Sequence, residues 1–88
     1  MKIFDVGDRV RISLDYYDFE LQGVFGIITM PPNSVRNSTG PWQGHFRREF
    51  LQNGDEELVY WVAELDTPRS VGSIDAAEIP ASALTRSM

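Results

Sequence analysis

From residue 6 to residue 14, apolar and polar side chains alternate. Val6, Val10, Ile12 and Leu14 share one parity, and Arg9, Arg11 and Ser13 the other. A period of two predicts a half-buried strand with the first set facing inward, entered through the Gly7-Asp8 turn. Residues 15–20 interleave Tyr16, Tyr17 and Phe19 with Asp15, Asp18 and Glu20 and show no period, so a structured loop is expected there. Residues 24–30 form a β-branched run that predicts a second strand, with Gly23 and Gly26 marking a bend or bulge. Pro31 and Pro32 stop it, because neither can donate to a sheet ladder.

Residues 31–44 hold three of the five prolines, with Asn33, Ser34, Asn37, Ser38, Gly40 and Gly44 between them, and read as one long irregular loop. Residues 44–51 fit a third strand or a short helix equally well. Asn53-Gly54 is the strongest hairpin signal, because both central positions of a type I′ turn need positive φ. It leads into residues 58–65, the best strand of the chain, with apolar residues on both parities as a central strand requires. Of the adjacent Tyr60 and Trp61, one must therefore point into the core. Asp66, Thr67 and Pro68 end that strand. A short strand around residues 71–79 follows, and then Pro80 with Ala81, Ser82, Ala83 and Leu84, which suit a single 3₁₀ turn. Residues 1–84 are expected to form one domain and residues 85–88 a frayed tail.

Short strands, glycines at the bends and no helix of any length predict an all-β fold: a small five-stranded antiparallel barrel, whose closure protects its sheet edges. The length agrees. A chain of 88 residues buries only about 60–65% of its unfolded surface, enough for one core but not for two domains. The absence of cysteine removes disulfides, thiolate nucleophiles, iron–sulfur clusters and cysteine-based zinc sites. With 13 acidic and 8 basic side chains the net charge is −5, which works against phosphate neutralisation, so nucleic acid is not an expected partner. No apolar run approaches a membrane span, and the first residues lack the apolar stretch of a signal peptide, so a soluble, cytoplasmic module is expected.

These residues resemble families built on the Src-homology-3-like barrel. Phe4-x-x-Gly7-Asp8-Arg9-Val10-Arg11, Gly23-x-x-Gly26-x-Ile28, Tyr60-x-Val62 and an acidic residue before the closing turn resemble the carboxy-terminal barrel of the nitrile hydratase β subunit. In that family the metal and the catalytic cysteines belong to the α subunit, so the resemblance implies a scaffold and assembly role. Gly7-Asp8-Arg9-Val10-Arg11, Gln22-Gly23 and Pro80-x-x-Ala83-Leu84-x-Arg86 also resemble the plasmid-borne type II dihydrofolate reductase. Its working Val-Gln-Ile-Tyr segment falls on Ala76, Ala77, Glu78 and Ile79, and its active-site lysine falls on Ile12. That resemblance therefore implies the fold and not the activity. The segment between Pro31 and Asn53 has no counterpart there.

No catalytic constellation is visible, and no enzyme, cofactor or metal is expected. His45 is the only histidine, and nothing in the spacing of Ser34, Ser38, Glu49 or Asp55 selects a partner for it. It reads as a surface or loop residue. The candidate contact residues lie in the loop after the first strand: Tyr16, Tyr17 and Phe19, with Asp15, Asp18 and Glu20 for charge selection. Aromatic faces there could dock a polyproline ligand or a cation, or they could plug one end of the barrel. Trp42 is a further candidate, either folded over a barrel end or displayed to a partner. Arg9 and Arg11, and Arg47 and Arg48 beside Glu49, read as solvated faces, and Asp55, Glu56 and Glu57 as a soluble hairpin tip. The expected function is a non-enzymatic protein–protein interaction or assembly module, its partner another protein or a second copy of itself. The alternative is an oligomeric small-molecule-binding protein or minor enzyme related in fold to the reductase.

Overall fold

The computed structural model describes residues 3–67 and 75–87. In chain order they form β1 (Arg9–Ile12), a 3₁₀ turn (Phe19–Leu21), β2 (Phe25–Ile28), α1 (Asn33–Thr39), β3 (Trp42–Gln43), β4 (Phe46–Phe50), β5 (Glu56–Ala63), β6 (Ala76–Pro80), a second 3₁₀ turn (Ala81–Ala83) and β7 (Leu84–Arg86). Every pairing is antiparallel, and the sheet curls into a half-barrel, as the all-β reading predicts.

β5 is the hub of the sheet. Residues 56–60 pair with β4, Val62 and Ala63 pair with β2, and residues 59–63 pair with β6 on the opposite edge. Being hydrogen-bonded on both sides, it carries apolar residues on both faces: Leu58, Tyr60 and Val62 on one, Val59 and Trp61 on the other. Tyr60 is the inward member of its aromatic pair, with no exposure at all. Its hydroxyl accepts a 2.9 Å bond from the Phe4 N–H, and its ring meets Phe4 edge-on at 5.3 Å. The amino-terminal segment is thereby pinned to the core by a hydroxyl that burial alone would leave unpaired. Val10 and Ile12 of β1, Ile28 of β2, Ile79 of β6 and Leu84 of β7 complete the innermost layer.

Gly26 lets β2 approach β5. A Cβ built there would stand 2.6 Å from Val62 Cγ1 and 2.7 Å from Leu65 Cδ2, closer than side chains can pack. This is the close backbone contact that a mid-strand glycine signals.

Several sequence expectations change in the structure. The five expected strands correspond to β1, β2, β4, β5 and β6, but β3, which forms a hairpin with β4 between β2 and β5 along the chain, and β7, which pairs with β1, raise the count to seven among the described residues. Residues 31–44 are not irregular throughout. Val35 and Arg36 N–H groups both donate to the Pro32 carbonyl at 3.0 Å, opening the short helix α1. Residues 44–51 resolve as strand, not helix. At the hairpin tip, positive φ occurs at Gly54 (+88°) but not at Asn53. With Gly54 N–H on the Leu51 carbonyl (2.9 Å) and Leu51 N–H on the Asp55 carbonyl (2.8 Å), the loop is a three-residue turn with a glycine bulge, not type I′.

Only half of the first strand's inward set is buried. Val10 and Ile12 are, whereas Val6 is 53% and Leu14 67% exposed. Gly7 (φ +94°) breaks the alternation before β1, and β1 ends at Ile12. The chain end also stays in the sheet beyond the expected point of fraying. Thr85 and Arg86 pair with Arg11 and Val10, and Ser87 N–H donates to the Arg9 carbonyl at 2.8 Å. The 3₁₀ turn after Pro80 forms as predicted. Residues 71–74 of the expected strand at 71–79 lie outside the described residues, and its remainder is β6.

Candidate functional site

The loop between β1 and β2 is a tied structure. Gly23 N–H donates to the Ile12 carbonyl (3.0 Å) and closes its base, while Gln22 Nε2 donates to the Tyr16 carbonyl (2.7 Å) across its middle. Asp18 caps the 3₁₀ turn by accepting from Glu20 N–H (3.1 Å), as short polar side chains do at helix starts. The Ser13 hydroxyl donates to the Asp15 carboxylate. Leu21 is buried at 4% exposure and anchors the loop to the core.

This frame divides the three aromatics. Tyr16 turns inward at 7% exposure, while Tyr17 and Phe19 project outward at 87% and 83%. Tyr16 and Tyr17 touch, with ring centroids 4.6 Å apart and planes tilted by 47°. Burial of the Tyr16 phenol, followed by its contact with Tyr17 and the charge of Asp18, raises its pKa well above the ordinary tyrosine value. It therefore stays neutral and serves as packing. Glu20 and Asp15 are exposed and Asp18 half-exposed. No lysine or arginine occurs between Ile12 and Val24, and among the described residues none of the three carboxylates makes an ion pair.

The remaining predicted contact residue lies elsewhere and is not displayed. Trp42 is 9% exposed on the outer face of the sheet, opposite Arg47 in the β3–β4 register. Its indole N–H donates to Thr39 Oγ1 (2.9 Å), and the Arg47 guanidinium lies 5.8 Å from its ring centre. Arg47 is itself fixed by Glu78 (2.9 Å) and Glu49 (3.3 Å). Trp42 is a structural residue of the insertion, and the structure does not bring it together with the β1–β2 loop through any contact among the described residues.

His45 lies in the turn between β3 and β4, consistent with the loop position expected, and there it is held by structural contacts. Its Nε2 donates to the Phe4 carbonyl at 2.7 Å, and its ring packs against Phe46 (5.4 Å) and Tyr60 (5.7 Å). Arg48 pairs with Glu56 (3.0 Å), and Glu57 accepts from the Ser82 N–H (3.0 Å), so the hairpin acids are partly engaged. Among the described residues no group of histidines and carboxylates could hold a metal, and no helix is long and apolar enough to cross a membrane.

Sequence reasoning passed over Leu14, which it placed inside. It stands exposed where β1 runs into the loop, beside Arg11, whose guanidinium lies 5.1 Å from the Phe25 ring centre. The available signal was the Ser13-Leu14-Asp15 turn: a polar-flanked leucine after the last inward residue has left the strand's alternation.

No family model matches the chain, and comparison with curated proteins and with solved structures finds no match. The positions that the reductase resemblance would make functional include Ile12 and Ile79, both fully buried in the core.

Proposed function

We propose that this chain is a non-enzymatic, cytoplasmic protein-interaction module whose contact surface is the β1–β2 loop. The observation that carries the reading is the exposure of Tyr17 and Phe19, 87% and 83%, on a loop that is otherwise hydrogen-bonded and anchored. Large aromatics cost free energy when displayed to water, and rigid exposed ones are the side chains that dominate interface energies. Asp15, Asp18 and Glu20 around them select a cationic partner segment, which gains carboxylate contacts and the aromatic faces together. The β7-β1-β2-β5-β6 path, with a 3₁₀ turn before its last strand, supports a barrel of the Src-homology-3-like kind. In such barrels the loop after the first strand flanks a groove for extended peptides.

A panel of proline-containing peptides, matched in length and differing in arginine and lysine content, tests this by calorimetric titration. Cationic members bind the wild type, and a Tyr17→Ala, Phe19→Ala variant weakens binding by about 30-fold or more, the scale of a hot-spot loss. Equal binding by the variant, or none by the wild type, overturns the reading.

A further inference from the structure

On the outer face of the sheet, one depression gathers opposite charges that do not meet. Its floor is β2, where Ile27 lies between Arg9 of β1 and Ala63 of β5 in the register, with Phe25 two residues along. Arg9 stands on one side, and Glu64 and Asp66, just past β5, on the other, around a volume of about 390 Å³. Small-molecule sites enclose about 300–1,000 Å³. Two strand spacings, about 10 Å, separate the backbones of Arg9 and Ala63. Among the described residues the side chains of Arg9, Glu64 and Asp66 make no ion pair and no hydrogen bond, with one another or elsewhere. The acidic side is set by the backbone. Ala63 faces outward, so alternation would send Glu64 into the core. Glu64 instead takes φ +52°, in the left-handed region that long side chains rarely adopt. This break keeps its carboxylate outside, turns Leu65 inward and brings Asp66 out again, where its N–H donates to the Phe25 carbonyl at 3.0 Å. Non-glycine residues held in this conformation cluster at ligand sites.

We infer that this depression binds a free cationic amino acid of the lysine or arginine kind. One arginine against two carboxylates gives the site a net charge of −1. The ligand that matches it group for group carries one carboxylate and two cations. Its carboxylate takes the Arg9 guanidinium, and its α-ammonium and side-chain cation take Glu64 and Asp66. Bonds between charged groups of this kind are roughly twice as strong as neutral ones. The methylenes between the charges lie on Ile27 and Phe25, whose ring is steadied by the Arg11 guanidinium 5.1 Å from its centre. The site shares no residue with the aromatic and acidic stretch of the β1–β2 loop and stands independently of the peptide-binding reading.

Calorimetric titration of the full chain with L-lysine and L-arginine provides the test, alongside three lysine relatives that each lack one charged group. Cadaverine lacks the carboxylate, norleucine the side-chain ammonium, and Nα-acetyl-lysine the α-ammonium. At least one of the two amino acids is expected to bind saturably, with a dissociation constant of about 1 mM or tighter, and each relative about tenfold or more weakly. Arg9→Gln and Glu64→Gln, tested singly, each weaken amino-acid binding by about tenfold or more. Both keep the wild-type thermal unfolding midpoint, because the side chains they replace are exposed. Absence of saturable binding, or a variant that binds as the wild type does, overturns the inference. Cadaverine binding as tightly as lysine also overturns it, since that would show only the general attraction of a cation to a chain of net charge −5. Equal binding by Nα-acetyl-lysine would assign the site to the carboxy-terminal basic residue of a peptide and overturn the free amino acid.

Discussion

Two segments of this chain look alike as sequence: the β1–β2 loop and the insertion between β2 and β5. Both carry aromatics among polar and turn-forming residues, and both sit at a barrel margin. The structure treats them oppositely. In the insertion, Trp42 finds a hydroxyl for its indole N–H and an arginine for its face, and the surrounding helix and hairpin close over it. In the loop, the tight frame leaves room for one inward ring, Tyr16, and sends Tyr17 and Phe19 outward. What decides the fate of an aromatic here is local supply. A partner for its polar edge and a charge for its face bring it in, whereas a short loop spending its hydrogen bonds on its own backbone leaves it out.

The contrast is most strongly tested by truncating the buried member. Trp42→Ala is expected to destabilise the fold by about 3 kcal/mol, from lost burial and the cavity left behind, measured by urea unfolding. A change below about 0.5 kcal/mol would place Trp42 with the surface residues. Next in size, Tyr60→Phe retains the ring but orphans the buried Phe4 N–H, for an expected loss of about 1–2 kcal/mol in the same assay. In the loop, Tyr17→Ala and Phe19→Ala should each shift stability by less than about 0.5 kcal/mol, as exposed substitutions do. Their effect belongs to binding, and a large unfolding penalty would show the loop to be a plug.

How much of this could be read beforehand follows the same logic. Alternation located β1 through Val10 and Ile12, the two-sided apolar pattern located β5 as the hub, and Pro80 located the closing 3₁₀ turn, because each signal is local and backbone-driven. Helix α1 left no trace: Asn33, Ser34, Asn37, Ser38 and Thr39 are weak helix formers with no apolar stripe, and the helix rests on tertiary bonds such as Arg36 Nη1 to the Gly44 carbonyl (3.0 Å). The burial of Trp42 depends on Arg47 and Thr39 arriving from neighbouring elements, which no spacing reveals. Leu14 kept the right parity but fell after the strand had ended. Of the candidate contact residues, the loop as a unit was legible, whereas which of its rings faced out was not, since Tyr16 and Tyr17 are adjacent and chemically identical.

The smallest expected effect concerns the clasp between chain ends. The Asp5 N–H bond to the Asp8 carboxylate, and then Arg86 3.1 Å away, hold the Asp8 pKa below its ordinary 3.8. A carboxyl lowered on folding contributes stability that is full above its unfolded pKa and is lost as pH falls through the folded value. Thermal unfolding of wild type and Asp8→Asn should therefore differ slightly at neutral pH and converge in strong acid. A gap that widens on acidification would reverse the assignment.

The most direct measurement is chemical-shift mapping of the isotopically labelled chain during titration with an arginine-containing, proline-rich peptide. Amide shifts confined to residues 14–22, with the Trp42 and Trp61 indole signals unmoved, are the predicted result. Perturbation centred on the Trp42 indole, with the loop amides silent, would contradict it.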